Sequence, residues 1–172
     1  TLLAAAVLAG CGGGQGPAMQ ARDQRVEIEL DDFLIRPQNV RAERVMVTNW
    51  VRGVESAEIL EPARHPVVVL GLGGTVATPP GGLEAEVVPV SSFADLKTRT
   101  AEVKGRIVLF DVGYSTYAET VTYRTGGARA ASEAGAVAVL VRSVGPIGLR
   151  TPHTGAVSYA PGRPGIPALA VA

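Results

Sequence analysis

The stretch LRTPHTGAVSY, residues 149–159, holds side chains able to recognise or transform a small molecule. His153 can exchange a proton near neutral pH, and the guanidinium of Arg150 presents a planar fork of donors that suits a peptide carboxylate. Nucleophilic catalysis would need a serine, cysteine or acidic partner beside the imidazole, and no motif supplies one. We therefore expect Arg150, Thr151 and His153 to form a loop that contacts substrate or an interface. The alternative is a loop that the imidazole shapes by bonding a backbone carbonyl.

Two further residues are weaker candidates for hydrolysis. Thr75, in the stretch GGTVA, resembles the threonine nucleophile turn of asparaginases, but the second Thr-Asp pair of that family is absent. Asp111 ends an apolar run, where α/β enzymes often place a carboxylate. The glycines at 71 and 73 begin a dinucleotide fingerprint that fails at Val76, so we interpret this segment as a glycine-rich turn after a strand.

Metal ligands are scarce in this sequence. The chain has two histidines, His65 and His153, and one cysteine, Cys11. A pair of zinc ions needs several converging histidine and carboxylate ligands, and a copper site needs histidines, a cysteine and usually a methionine grouped together. We predict no metal site within this chain, no catalytic residue, and a solvated His65 at a strand entrance.

Charge excludes one class of partner. The 16 lysines and arginines balance 16 aspartates and glutamates, and nucleic acid requires a concentrated basic face. We predict no nucleic-acid binding.

The elements that would position these residues alternate between strands and helices. Residues 106–143 read as strand, helix and strand, which predicts a βαβ unit with two parallel strands. A serine cap starts a short helix, helical spacing occupies the second half of 119–135, and Gly135 sits where a helix C-cap glycine is expected. The other predicted strands cover 25–38, 42–50, a continuous buried run at 66–74, 83–90, and 165–172.

The N-terminal residues resemble a secretion signal. TLLAAAVLAGC, residues 1–11, has an apolar stretch too short to span a bilayer, and its last four residues resemble a bacterial lipobox. The resemblance implies that Cys11 carries a lipid anchor in the cell envelope, followed by a flexible tether at 12–24. Because the sequence starts at Thr1 and ends in IPALAVA, we expect a piece of a longer protein.

Several motifs in order resemble a known family. VKGRIVLFDV, GGARAASEAGAVAVLVRS and GIPALAV together resemble the protease-associated domain, a small module inserted in secreted peptidases. NVRAERVMVTNWVRGVESAEILEP, GLGGTVATPPGGLEAEVV, YAETVTYRTGGARAA and LRTPHTGAVSY narrow the resemblance, over about 39–172, to the carboxypeptidase Q family of zinc-dependent exopeptidases. The resemblance implies an α/β fold, a β-sandwich or open barrel with flanking helices and one βαβ unit. It also implies two zinc ions in the complete enzyme, whose ligands would follow residue 172.

These expectations combine into one organisation. After the leader and tether we expect N-terminal strands at 25–82, family-like only from 39 onward, and a protease-associated domain at 83–172. The resemblance implies a non-catalytic part of a secreted, lipid-anchored exopeptidase, which shapes the cleft, gates substrate or mediates dimer contacts. Its partners would be the catalytic domain, a peptide substrate, a second copy, and the membrane through the anchor. The alternative is a stand-alone lipoprotein that binds a peptide or protein.

Overall fold

A computed structural model describes residues 5–9, 44 and 50–172, the first of these segments as backbone only. By its contacts the chain divides into two units, 1–14 with 50–172, and 15–49. Cys11, the tether and the strand predicted at 25–38 lie outside the described residues, as does most of the strand predicted at 42–50. Arg44 and Trp50, at described positions of that last segment, are not in a strand.

The described strands form one mixed sheet, in the order β3-β2-β1-β5-β6-β7-β8-β4. Their bounds are β1 Ala5–Ala9, β2 Ser56–Ile59, β3 His65–Val67, β4 Val69–Gly71, β5 Leu83–Val90, β6 Ile107–Phe110, β7 Ala138–Arg142 and β8 Ala168–Val171. Neighbours from β5 to β8 are parallel, and the remaining pairs are antiparallel. The long strand β5 joins the antiparallel strands to the parallel ones, because its first half pairs with β1 and its second half with β6.

The connection between β3 and β4 curls this sheet back on itself. These strands stand at opposite ends of the strand order, yet Val68 alone separates them in sequence. Since consecutive Cα atoms are about 3.8 Å apart, the two ends of the sheet must lie side by side. The Val68 carbonyl also accepts the backbone N–H of Ala172 at 3.1 Å, just past β8. The mixed α/β fold of open-barrel character expected from the sequence is confirmed, as is the βαβ unit at 106–143. The strands β5 and β6 are parallel as well, and the helical residues between them make a second such unit.

Within the described residues three helices accompany the sheet, α1 Phe93–Thr98, α2 Thr100–Val103 and α3 Tyr117–Glu133. Ser92 caps α1 by accepting the backbone N–H of Asp95, as the sequence predicts. Thr116 caps α3 in the same way, and Gly135 follows its C-terminus with φ of +83°, a conformation that favours glycine. Of the described helices, none combines the length and the apolar character needed to cross a membrane.

Small residues let α3 lie close to the sheet. Ala128 and Ala131 are fully buried against the strands, and a Cβ at Gly127 would stand 3.1 Å from the Phe110 ring. Phe110 itself packs with two other rings at centroid distances of 5.3 and 5.5 Å. Alternate residues of β6 and β7 point the other way, into a second apolar cluster around Ile107 and Leu140. The parallel strands are thus buried on both faces, as βαβ sheets require.

Two predicted elements differ from the observed ones. The run at 66–74 is not one buried strand, because it breaks at Val68, which is 55% exposed, into the two short strands β3 and β4. The helix predicted for the second half of 119–135 begins at Tyr117, since Thr116 provides a cap that the alanine spacing does not reveal.

Candidate functional site

The carboxyl ends of β6, β7 and β8 meet at one edge of the sheet and border a cavity of about 610 Å³. The segment between β7 and β8, residues 143–167, is called the β7–β8 loop below, and its first part closes the cavity. Crevices at this edge of parallel sheets are the usual ligand sites of α/β folds. The wall comprises Leu109, Asp111, Arg142, Ser143, Val144, Gly145, Pro146, Ile147, Gly148, Leu149, Thr151, Pro152, His153, Val171 and Ala172.

His153 is held in this wall by two hydrogen bonds. Its backbone N–H donates to Ser143 Oγ at 3.0 Å, and the Ser143 hydroxyl donates to the Val171 carbonyl at 2.8 Å, which ties the loop to β8. The ring atom Nδ1 lies 2.6 Å from the Val144 carbonyl oxygen. Because a carbonyl only accepts, Nδ1 carries a proton in this contact, and the tautomer that fits it leaves the lone pair on Nε2. The imidazole therefore shapes the loop through a backbone carbonyl.

The three residues predicted for this loop are not all on the cavity wall. Thr151 and His153 line the cavity, whereas Arg150 is exposed and does not. The structure leaves their contact with substrate or with an interface as a prediction.

An ion pair marks the rim of the cavity. Arg142 Nη1 lies 3.0 Å from Asp111 Oδ1, with the two side chains 35% and 57% exposed. At such exposure a pair contributes at most about 1 kcal/mol. The ion pair argues against a catalytic role for Asp111, since its carboxylate is paired with a cation rather than placed beside a nucleophile as a general base.

Thr75 has a structural role. It is buried, and its Oγ1 accepts the backbone N–H of Ala168 at 2.7 Å. The Tyr159 hydroxyl lies 3.5 Å from the same oxygen and donates to the Ile166 carbonyl at 2.6 Å. Thr75 thus fastens the turn after β4 to the start of β8, and it is not presented to solvent as a nucleophile would be.

Two large apolar side chains of the β7–β8 loop stand in solvent. Ile147 is 86% exposed and Leu149 is 61% exposed, on either side of Gly148, whose φ of +97° turns the chain there. Sequence reasoning missed both residues, because a single apolar residue in a loop has no periodicity that reports its exposure.

A buried arginine was also missed. Arg124 is only 7% exposed, and its Nη2 donates to the Tyr117 hydroxyl at 2.9 Å. The Tyr117 ring in turn lies 6.2 Å from the His153 ring, so the pair extends the site beneath the loop. A signal was present in the sequence, because Arg124 shares one helical face with Ala128 and Ala131 at spacings of four and seven residues.

Among the described residues the clear pKa shifts belong to three surface carboxylates and to Arg99, whose pKa is raised by its hydrogen bond with Glu102. A hydrogen bond from the Ser115 hydroxyl, helped by Thr116, lowers the pKa of Glu119. The Ser91 backbone N–H lowers the pKa of Asp95, and a hydrogen bond from Arg99 lowers that of Glu102. These shifts stabilise helix ends and identify no acid or base.

The donor set of the described residues does not fit a metal centre. In residues 50–172 no three His, Cys, Asp or Glu side chains come together. His65 lies in β3 and is exposed, and the Nδ1 of His153 is committed to a carbonyl. No step through a metal ion is therefore derived for this chain.

Comparison with known proteins agrees with this architecture. The family model of the PA domain matches residues 66–172, a range that includes β3 and β4. The mouse protein carboxypeptidase Q is 45% identical over 130 residues, which cover 76% of this chain and 28% of the mouse protein. Carboxypeptidase Q of Xenopus laevis is 47% identical over 145 residues, covering 84% of this chain and 29% of the frog protein.

A solved structure is similar as well. The crystal structure of a peptidase M28 precursor from Shewanella amazonensis SB2B superposes with a TM-score of 0.64 and 36% identity, covering 67% of this chain and 28% of that one. The chain thus spans under a third of the length of these relatives. Because the PA domain model accounts for more than half of the 172 residues, the chain belongs to the PA domain family.

Proposed function

We propose that this chain is the non-catalytic PA portion of a secreted zinc-dependent exopeptidase similar to carboxypeptidase Q, and that its β7–β8 loop contacts the catalytic part at the substrate cleft. In the complete protein the catalytic part hydrolyses peptides, and the loop shapes the cleft and gates substrate entry. The observation that carries the proposal is the pairing of a cavity with two exposed apolar side chains, Ile147 and Leu149, on the same loop.

The apolar side chains supply the reason for a protein contact. Burying an isoleucine or leucine side chain is worth about 1.5–3 kcal/mol, and that free energy is forgone while Ile147 and Leu149 face water. Contiguous apolar patches rimmed by polar residues are typical of interaction sites, and Ile147 and Leu149 expose apolar surface within three residues of one loop. The catalytic part of the same polypeptide is the partner that the similarity to longer peptidases supports.

The polar side of the loop suits a peptide. The lone pair on His153 Nε2 can accept a hydrogen bond, the Thr151 hydroxyl can donate or accept one, and Arg150 in solvent can reach a carboxylate. In the proposal these groups bind the peptide and orient it. Zinc, when bound by the catalytic part, supplies activated water, and the described residues of this chain supply no ligand cluster for the ion.

The proposed localisation depends on Cys11, outside the described residues. The lipobox resemblance supports anchoring of the mature protein in a bacterial cell envelope. Acyl labelling of the wild type and of Cys11→Ser tests this, since label that persists in the variant contradicts the anchor.

The loop contact is tested in the full-length polypeptide that contains this chain. Ile147→Ser and Leu149→Ser should each lower the equilibrium constant for docking of the catalytic part against the β7–β8 loop. The expected decrease is about 10- to 150-fold, the equivalent of losing the burial of one apolar side chain. Because the loop shapes the cleft, kcat/KM for peptides should fall with it. Val54→Ser is the matched control, because Val54 is also 86% exposed but lies outside the loop. All three variants should melt like wild type within the isolated chain.

Unchanged kcat/KM in both loop variants would remove the proposal. A drop in subunit association with unchanged kinetics would instead assign the loop to a homodimer interface. The alternative of a stand-alone binding lipoprotein predicts that the isolated chain binds peptides as tightly as the full-length protein does, which equilibrium dialysis measures.

A further inference from the structure

We infer that the buried guanidinium of Arg124 is a receptor for a carboxylate group supplied from outside the described residues. This inference does not depend on the proposed contacts of Ile147 and Leu149. It stands on the burial of the side chain and on the donors that lack an acceptor.

The donors of Arg124 are largely unmatched. Its side chain lies on the inner face of α3, where the residue is only 7% exposed. Nη2 donates to the Tyr117 hydroxyl, but Nε and Nη1 are buried and have no acceptor among the described residues. Arginine keeps its charge in proteins and carries five N–H donors in a fixed fork. A buried, unpaired cation is costly, so an arrangement that persists requires an anionic or strongly polar partner.

Well-defined neighbouring segments enclose the guanidinium. The Gly155 segment of the β7–β8 loop lies directly over it, so close that a Cβ at this position would fall 2.2 Å from Arg124 Nε. Two backbone hydrogen bonds hold that segment in place, because the Gly73 N–H donates to the Gly155 carbonyl and the Val157 N–H donates to the Gly73 carbonyl. The Tyr117 ring also lies against the guanidinium, with its centroid 5.7 Å from Arg124 Cζ, and it is 52% exposed.

The donors of the guanidinium select the class of anion. A carboxylate presents two oxygens to a planar fork of N–H groups, and the second N–H of Nη2 can complete such a fork beside one of the unmatched nitrogens. The carboxylate can come from an acidic side chain of a neighbouring protein part or from the C-terminus of a peptide, and both present the same two oxygens.

Ligand-dependent unfolding of the chain tests the inference. Sodium acetate is compared with sodium chloride at equal ionic strength, in wild type and in Arg124→Met. Acetate at ten times its Kd should raise the folding equilibrium constant of wild type about 11-fold. Arg124→Met should show no such rise. Arg129→Met is the matched control, since Arg129 is an exposed arginine of the same helix and should respond like wild type.

A direct readout covers the case in which Arg124→Met fails to fold. In wild type the ¹⁵N-¹H signal of Arg124 Nε should shift on titration with acetate and saturate at the Kd found by unfolding. The absence of an acetate-specific effect in wild type, an equal effect in Arg124→Met, or a larger effect of inorganic phosphate than of acetate would overturn the inference.

Two peptides distinguish the source of the carboxylate. N-acetyl-diglycine carries only a C-terminal carboxylate, and N-acetyl-aspartyl-glycinamide carries only a side-chain carboxylate. A stronger effect of the first supports capture of a peptide terminus, and a stronger effect of the second supports docking of an acidic side chain. No effect of either peptide, where acetate acts, would contradict a macromolecular or peptide source.

Discussion

Replacing Gly155 by alanine should loosen the β7–β8 loop from α3. The added Cβ would lie 2.2 Å from Arg124 Nε, 2.6 Å from Cζ and 2.8 Å from Cδ, where ordinary contact begins at 3.4 Å. Arg124 is buried, and the atoms met are in the middle of the side chain rather than at its flexible end, so neither partner can yield cheaply.

The cost follows from two contributions. Overpacking of a well-filled site typically costs about 1–3 kcal/mol. If the segment lifts instead, the hydrogen bonds from Gly73 N–H to the Gly155 carbonyl and from Val157 N–H to the Gly73 carbonyl are lost, at about 1 kcal/mol each. The stiffer unfolded chain returns about 0.4–1 kcal/mol. After this gain is subtracted, we expect Gly155→Ala to lose about 1–2 kcal/mol of unfolding free energy.

Urea unfolding followed by circular dichroism measures this loss. Gly113→Ala is the matched control, because a Cβ there meets nothing within 4 Å and neither glycine has a left-handed φ. The control should gain only about 0.4–1 kcal/mol of unfolding free energy, because alanine lowers the conformational entropy of the unfolded chain. Arg124→Ala should recover stability in the Gly155→Ala background. Equal midpoints for the two glycine variants would refute the close contact.

Two further predictions concern α3. Gly126→Ala should gain about 1 kcal/mol from the higher helix propensity of alanine. Gly127→Ala should melt below wild type, because its Cβ would stand 3.1 Å from the fully buried Phe110 ring. Equal melting temperatures for the two variants would contradict this packing. The lowered pKa of Glu119 stabilises the fold above its ordinary value of 4.5, and this contribution is lost as pH falls through the folded-state pKa. Ser115→Ala should therefore destabilise the protein more at pH 7 than at pH 3, and a pH-independent difference in melting temperature would exclude the hydrogen bond.

The sequence predicted the parallel part of the sheet well. Strand β5 occupies the predicted 83–90, where glutamates alternate with apolar residues. Strands β7 and β8 lie within their predicted apolar runs, because strands buried on both faces leave runs of Val, Leu and Ala. The C-terminal end of α3 was equally visible, since Gly135 adopts a positive φ that few other residues tolerate. Local chemistry determines these features, so a local pattern predicts them.

Features set by tertiary contacts were not predictable. The break at Val68 arises because β3 pairs with β2 while β4 pairs with β8, and this division depends on strands more than 90 residues downstream as well as nearby ones. The position of His153 depends on the Ser143 hydroxyl, which also bonds β8. The sequence indicated that His153 lies in a loop, but only the fold brings the cavity to that loop.

The segment at Ala5–Ala9 raises a question that hydrogen exchange can answer. In the structure it forms β1, between β2 and the first half of β5, whereas the lipobox resemblance predicts that residues before Cys11 are removed. Both cannot hold in one molecule, because a chain that begins at Cys11 has no β1.

Amides of Leu83–Glu86 should therefore be protected in the 1–172 chain and lose protection in an 11–172 chain. The amides of Val87, Val88 and Val90 provide the internal control, since β6 pairs with this half of β5 in either form. Equal protection of Leu83–Glu86 in both chains would show that β1 is not their partner and would leave the segment free to serve as a leader.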